Sequence, residues 1–231
     1  MIVAILQARM TSTRLPGKVL APVLGRPMLG RQVERLERSQ RLDRIILATT
    51  DEAIDDPVTD YALELGLGLA RGSRDDVLSR FLLALDQVPE ATALVRLTAD
   101  CPLADWRVID RVIDHHLASG ADYTRNTQVR TFPHGLDAEA MKPEVLRRAG
   151  AEATTRHERE HVTPYIYETP GRFRLASVER KPSLAHLRWT VDYPEDLDFV
   201  RQVYETLYPA DNDFTTDDIA ALDWNSSRAA G

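Results

Sequence analysis

Residues 7–18 read Gln-Ala-Arg-Met-Thr-Ser-Thr-Arg-Leu-Pro-Gly-Lys and follow directly on the apolar run at 2–6. A short buried strand therefore runs into a loop of small residues that holds three cations, Arg9, Arg14 and Lys18, and no acid. Close backbone approach, hydroxyl and N–H donors, and fixed positive charge are what a triphosphate requires of a turn. Lys18 is one of only three lysines against 26 arginines, so a compact point charge here is unusual for the chain. Val19 follows Gly17-Lys18, so the P-loop hydroxyl for magnesium is missing, and the G-x-G-x-x-G of dinucleotide folds is absent as well.

Two acids stand where such a loop would use them. Asp100 follows the aliphatic run at 93–98 and precedes Cys101-Pro102, which places a carboxylate at the same sheet edge as the loop. Magnesium favours one or two carboxylates together with substrate phosphates and water. Taken alone, Asp100 would serve equally as the cap of the following helix. Cys101 has no evident base partner and reads as a small packed side chain. Asp192 repeats the arrangement: an aliphatic segment at 187–191 ends in the acid, and Pro194 then opens a helix. Its alternative role is helix N-cap, with Glu195 completing a box-like turn and Asp196 beside it. A third segment, 71–78, follows a strand and opens a helix, so the backbone N–H groups around Gly72, Ser73 and Asp76 can read a base edge or ribose. His157 to His161 satisfies H-E-x-x-H, the zinc-protease signature. That helix is charged all round and Pro164 follows within a turn, so an acceptor-facing helix with Arg159 and His161 near a carboxylate is the better use. His115, His116 and His186 read as ordinary surface or satisfied histidines.

The loop closely resembles Ala-Arg-x-x-Ser-Thr-Arg-Leu-Pro-Gly-Lys of CMP-Kdo synthetases, and residues 191–197 resemble their Val-Asp-x-Pro-Glu-Asp-Leu element. Arg71-Gly72-Ser73, Gly135-Leu136-Asp137 and the run from Arg159 to Pro164 resemble the spore-coat polysaccharide (F-type) branch of the same cytidylyltransferase family. The resemblance covers nearly the whole chain and is most specific at its two ends. It implies a Rossmann-like α/β fold with a mostly parallel sheet, one nucleotidyltransferase domain over 1–231, and a small β-rich acceptor and dimerisation flap at about 121–180. It implies transfer of CMP from CTP to a sugar, a sugar acid in particular, with release of pyrophosphate. Arg9 and Lys18 would act on the phosphates, Ser12 and Arg14 would complete the cradle, and Leu6, Ala8, Thr98, Gly72, Ser73 and Asp76 would border the nucleotide. Asp100 and Asp192 would hold Mg2+. His134, Gly135, Asp137, Glu139, Arg159 and His161 would meet the acceptor. Another nucleoside triphosphate, a sugar phosphate, or a non-catalytic nucleotide-binding module remains an alternative at this stage.

The elements that must position these residues are legible as alternating patterns. Strands are expected at 2–6, 44–49, 67–71 and 93–98, with amphipathic helices at 27–39, 53–65, 75–87 and 106–117. Repeated β-α-β units imply parallel pairing with right-handed crossovers. The second half is less regular: short strands within 121–142 broken at Pro133-His134-Gly135, helices at 143–150, 155–167 and 194–208, strands at 173–178 and 187–191, and a frayed tail after Asn225. At 231 residues, 43% hydrophobic and 28% charged, the chain has the composition of a globular domain. Its apolar runs are too short to span a bilayer, it opens on no secretory signal pattern, and its single cysteine excludes an internal disulfide and a cysteine metal site, so a cytoplasmic setting without membrane partner is expected. A net charge of −7 disfavours nucleic acid as partner, yet residues 1–35 carry six cations and one acid while 190–231 carry ten acids and two cations. A basic pole suits a polyanionic small ligand, although solvated helix faces explain part of the asymmetry.

Overall fold

The computed structural model describes residues 1–222. In chain order the strands are β1 (Ile2–Gln7), β2 (Pro22–Val23), β3 (Arg26–Pro27), β4 (Arg44–Thr50), β5 (Gly68–Gly72), β6 (Ala93–Thr98), β7 (Tyr123–Arg125), β8 (Glu139–Met141) and β9 (Leu175–Ser177). The helices are α1 (Met28–Leu36), α2 (Asp56–Glu64), α3 (Val77–Asp86), α4 (Trp106–Ser119), α5 (Pro143–Glu152), α6 (Arg156–His161), α7 (Pro164–Tyr167), α8 (Pro194–Leu207) and α9 (Thr216–Ala221). Seven strands form one sheet in the order β5-β4-β1-β6-β8-β7-β9, and β2 with β3 forms a separate small pair. The first four are parallel; β8 then joins β6 antiparallel, and β9 lies parallel to β7 at the far edge.

The parallel strands are nearly continuous aliphatic runs because helices cover both faces of the sheet. Alternation along β1 divides the core. Ala4 and Leu6 pack with Leu29 and Val33 of α1, Ile109 and Ile113 of α4 and Val200 of α8. Val3 and Ile5 pack on the opposite face with Leu78 and Phe81 of α3, Leu146 of α5 and Ile166 of α7. From β1 the chain winds outward through β4 and β5, then returns to β6 on the other side of β1. The crevice between the carboxyl ends of β1 and β6 is therefore the topological switch point, the place where ligands bind in open α/β sheets.

Several expected elements differ in the structure. Residues 187–191 do not form a strand. They are held by a few bonds to two residues: His134 N donates to Leu187 O at 3.0 Å, Trp189 N and Thr190 N donate to His134 O at 2.6 and 3.1 Å, and Val191 N donates to Asp100 O at 2.8 Å, which amounts to an isolated bridge between His134 and Arg188. The expected helix at 155–167 is two short helices, α6 and α7, because Val162 turns to φ 72° and Pro164 cannot extend the preceding turn. The strand at 173–178 shortens to three residues, and α2 is preceded by a 3₁₀ turn at Ala53–Asp55. Helix α9 has too short a period to be read from sequence; it starts on a Thr215–Asp218 capping box. The tail after Asn225 lies outside the described residues.

Candidate active site

The loop after β1 is tied down from below. Asp55, wholly buried, accepts from Met10 N at 2.6 Å and from Thr50 N at 3.3 Å, and Thr50 Oγ1 donates to the same carboxylate. Gly17 adopts φ 72° and donates its N–H to Met10 O at 2.9 Å, which closes the loop and delivers Lys18 into the first turn that follows. The Lys18 side chain is 10% exposed, so its ammonium is fixed by what surrounds it. Nζ donates to Val191 O at 2.5 Å and stands 3.5 Å from Asp100 Oδ2 and 3.3 Å from Asp192 Oδ1. Two acids 92 positions apart thus meet across one ammonium.

Neither acid is consumed by helix capping. Asp105 caps α4 by accepting from Arg107 N at 3.0 Å. Tyr193 is the N-cap of α8, and Asp196, rather than Glu195, closes its box, accepting from Tyr193 N at 3.0 Å and Asp192 N at 2.8 Å. The Asp192 carboxylate is left to side chains: Arg14 at 2.8 Å and Lys18 on Oδ1, Arg188 at 2.8 Å on Oδ2. Burial pushes this carboxyl up, but the donors from Arg188, Lys18 and Arg14 outweigh it and hold the group below the ordinary carboxylate range. Burial first, and then the Asp100 charge, push the Cys101 thiol well up, in keeping with a packed role.

Arg14, Lys18, Asp100 and Asp192 line a cleft of about 410 Å³ at the switch point, together with Gln7, Ala8, Arg9, Ser12, Thr13, Thr98, Ala99 and His161. Leu6 lies buried in β1 just beneath it. The donor set suits a divalent cation. An ammonium between two carboxylates is a stand-in for one, and among the described residues no third His, Cys, Asp or Glu joins them. A metal held there would complete its shell with phosphate oxygens and water, as magnesium does.

The structure sets Gly72, Ser73 and Asp76 apart from this cleft lining, at the end of β5. Asp76 caps α3 through Ser79 N at 3.0 Å and accepts from Arg159 Nε at 3.0 Å; Ser73 Oγ accepts from Asp76 N at 3.2 Å. Arg159 is a strut between helices, donating also to Gly150 O at 3.0 Å. His134 Nδ1 accepts from Arg188 at 3.2 Å, so Arg188 links it to Asp192. Gly135 has φ 114°, and a Cβ there would lie 2.6 Å from Thr190 N and 2.7 Å from the Trp189 carbonyl carbon. Only glycine lets this segment press on the stretch that carries Asp192.

Asp137 and Glu139 border a second chamber of about 330 Å³ with Arg96, Arg125, Thr127, Arg130, His157, Thr163 and Tyr167. His161 lines both chambers. Arg96, Arg125, Arg130 and Arg188 were not singled out from sequence. For Arg96 and Arg125 the signal is the strand register, in which Glu139 stands opposite both, and a register is invisible before the strands are paired. Arg130 and Arg188 lie outside the strands and are marked only by their partners Asp137 and Asp192. The H-E-x-x-H residues are otherwise engaged: Glu158 closes the capping box of α6 with Thr155, and His157 meets Glu168 at 3.1 Å.

Residues 3–212 match the cytidylyltransferase family. The spore coat polysaccharide biosynthesis protein SpsF of Bacillus subtilis is 32% identical over 211 residues, covering 88% of this chain and 86% of that protein. A cytidylyltransferase from Leptospira borgpetersenii is similar in structure, with a TM-score of 0.90 at 30% identity over 98% of this chain and 95% of the other. A CMP-2-keto-3-deoxy-manno-octonic acid synthetase complexed with CTP shares the fold, with a TM-score of 0.64 at 18% identity, 88% of this chain and 98% of that one. Among the described residues, no helix is long and apolar enough to cross a membrane.

Proposed function

The chain belongs to the cytidylyltransferase family, and from that membership we propose that it transfers CMP from CTP to a hydroxyl of a sugar acid, releasing pyrophosphate, in the making of a surface polysaccharide. The observation that carries this reading is the meeting of Asp100 and Asp192 across Lys18 in a switch-point cleft that shares His161 with a second, arginine-lined chamber. The sugar acid is supported by that chamber, the surface polysaccharide by the SpsF relative, and CTP by the ligand of the synthetase that shares the fold.

The work of the protein in phosphoryl transfer is positioning and neutralisation. Arg9, Ser12, Arg14 and Lys18 hold the triphosphate on the loop after β1, with Ala8 and Thr98 on either side. Lys18, being buried and already desolvated, stabilises charge that develops on the phosphate oxygens without reorganising. Asp100 and Asp192 would hold Mg2+, which would supply Lewis-acid polarisation of the α-phosphate and a lower pKa for the attacking hydroxyl. Gly72, Ser73 and Asp76 lie on the β4–β5 side, where the nucleoside extends, and the acceptor enters past His161 with His134, Asp137 and Glu139 around it. Arg159 supports this wall through Asp76, and Gly135 sets the position of Asp192. We assign no separate protein base, and we take the enzyme to act in the cytoplasm as a homodimer.

The test is a pyrophosphate-release screen of the four nucleoside triphosphates against a panel of sugar acids and sugar phosphates, with and without magnesium. Release with CTP, a sugar acid and magnesium is the expected result. Turnover confined to another triphosphate or to sugar phosphates overturns the substrate assignment, and tight CTP binding with no turnover on any acceptor overturns the catalytic one. Light scattering in solution checks the dimer.

A further inference from the structure

Three guanidiniums reach the second chamber, and two of them are already spent. Arg96 meets Glu139 at 2.6 Å, and the Tyr123 hydroxyl donates to the same carboxylate at 2.9 Å. Arg130 grips Asp137 through a two-pronged fork at 2.9 and 3.0 Å. Arg125 makes no ion pair among the described residues, and its Nε is buried without a hydrogen-bond partner. Its guanidinium carbon lies 3.9 Å from the centre of the Tyr167 ring and 6.0 Å from that of Tyr123. The two rings themselves stack at 6.3 Å. A cation seated over an aromatic platform and hydrogen-bonded to the Tyr167 side chain is pre-oriented, and with no acid paired to it the guanidinium can take an incoming anion.

We propose that Arg125 is the specificity-determining residue for the acceptor, taking its carboxylate in a fork within this chamber while the Arg96–Glu139 and Arg130–Asp137 pairs receive its hydroxyls. The inference rests on the sugar-acid reading above and names the side chain responsible for it. Charge favours a carboxylate over a phosphate. Three guanidiniums against Asp137 and Glu139 leave one positive charge, which a carboxylate neutralises and a phosphate monoester, at about −1.5 to −2, overshoots. Position favours it too: His161 lines both chambers, so an anion seated at Arg125 is in the space adjoining the phosphate cleft, and a hydroxyl of the same sugar can be offered to it. The site needs no rearrangement of its existing pairs, because the cation it uses is the one they leave over.

The experiment is initial-rate kinetics with CTP and magnesium on the full chain, comparing a sugar acid, its carboxamide and the corresponding sugar phosphate, for the wild type, Arg125→Met and Arg125→Lys. Calorimetric binding of the sugar acid to the CTP-free enzyme runs in parallel. Loss of a charge-assisted fork raises the acceptor KM, and the binding constant with it, by about 10- to 100-fold in Arg125→Met. The KM for CTP stays unchanged, and the preference for acid over carboxamide collapses toward one. Arg125→Lys recovers part of the preference, since it restores the charge but not the fork. Equal losses on acid and carboxamide, an unchanged acceptor KM, or a wild-type preference for the phosphate overturns the proposal. Should Arg125→Met not fold, Arg125→Gln and Arg125→Lys report the same ratio. Wild-type binding of the acid that is lost in the variant, without turnover in either, sinks the reaction while leaving Arg125 in its role.

Discussion

The two chambers that share His161 are built from the same side chains, arginine and carboxylate, and use them in opposite ways. In the switch-point cleft, Asp192 is met by Arg14, Lys18 and Arg188 and receives no backbone N–H, so its charge is balanced entirely by side chains that an incoming polyanion can attract away. In the second chamber the Arg96–Glu139 pair is anchored in strand register, with Glu139 opposite Arg96 and Arg125 on adjacent antiparallel strands, and Arg130 forks onto Asp137. The first balance is exchangeable and suits a ligand that brings both a cation and many negative charges. The second is fixed and leaves a single positive charge over. Buried acids elsewhere show the contrasting structural use: Asp55 and Asp105 are saturated by backbone and hydroxyl donors, with Thr216 N and Oγ1 on Asp105 at 2.9 and 2.8 Å, and neither offers an oxygen to the cleft.

The contrast breaks most visibly at the two shared acids. Asp100→Asn or Asp192→Asn keeps shape and removes charge, and is expected to lower kcat on the order of a thousand-fold, the several kcal/mol that a bound metal supplies. Near-normal pyrophosphate release in either variant would show that the exchangeable cluster is not where the chemistry occurs. Lys18→Ala comes next, with a loss of about a hundred-fold in kcat/KM for CTP, as for removal of one preorganised donor. Unchanged CTP kinetics would mean that the buried ammonium is a structural counterion, like Arg96 in the other chamber.

A smaller effect sharpens the boundary between the two. Gly135→Ala forces a Cβ against the backbone of Trp189 and Thr190, so urea unfolding should lose about 1–3 kcal/mol, and the acceptor KM should shift because the same segment carries His134 and Asp137. Stability equal to that of the wild type would show that the 132–136 segment does not brace Asp192. The smallest effect lies outside both chambers. Burial pushes the Glu34 carboxyl up, but hydrogen bonds from Tyr208 and Arg31 outweigh it, so the folded pKa lies below the ordinary 4.5. A depressed acid stabilises the fold above its unfolded pKa and loses that contribution as pH falls through the folded value. Glu34→Gln should therefore cost about 1 kcal/mol near neutral pH, with the gap to wild type closing below pH 4.5. Activity at neutral pH should be unaffected, which separates fixed pairs of purely structural use from those at the chambers.

The parallel half of the sheet was legible because each strand is a short aliphatic run followed at once by its loop. The run at 2–6 with the cations at 9, 14 and 18, and the run at 93–98 with its acid, are each a strand and the turn that follows it, where sequence order is spatial order. Residues 187–191 have the aliphatic content of a strand and form none, because composition cannot distinguish a ladder from a segment pinned by a few bonds to His134 and Asp100. The helix at 155–167 was misread as continuous because a positive φ at Val162 is decided by what packs around it. Arg125 and Arg96 cannot be told apart in the sequence for a related reason: which of many arginines takes the acid and which is left without one is a property of paired strands.

What the order of residues specified outright was local: a cationic turn closed by glycine, an acid at the end of each of two aliphatic segments, and proline at the helix starts. These depend on neighbours within a few positions, whose sterics and polarity act in any context. Folding settled the allocation. Asp196 takes the cap of α8 and leaves Asp192 to Lys18, a residue 174 positions away; Glu139 neutralises Arg96 and leaves Arg125 its charge. Each outcome is a competition among donors and acceptors brought together by long-range packing, and only three-dimensional proximity determines which partner wins.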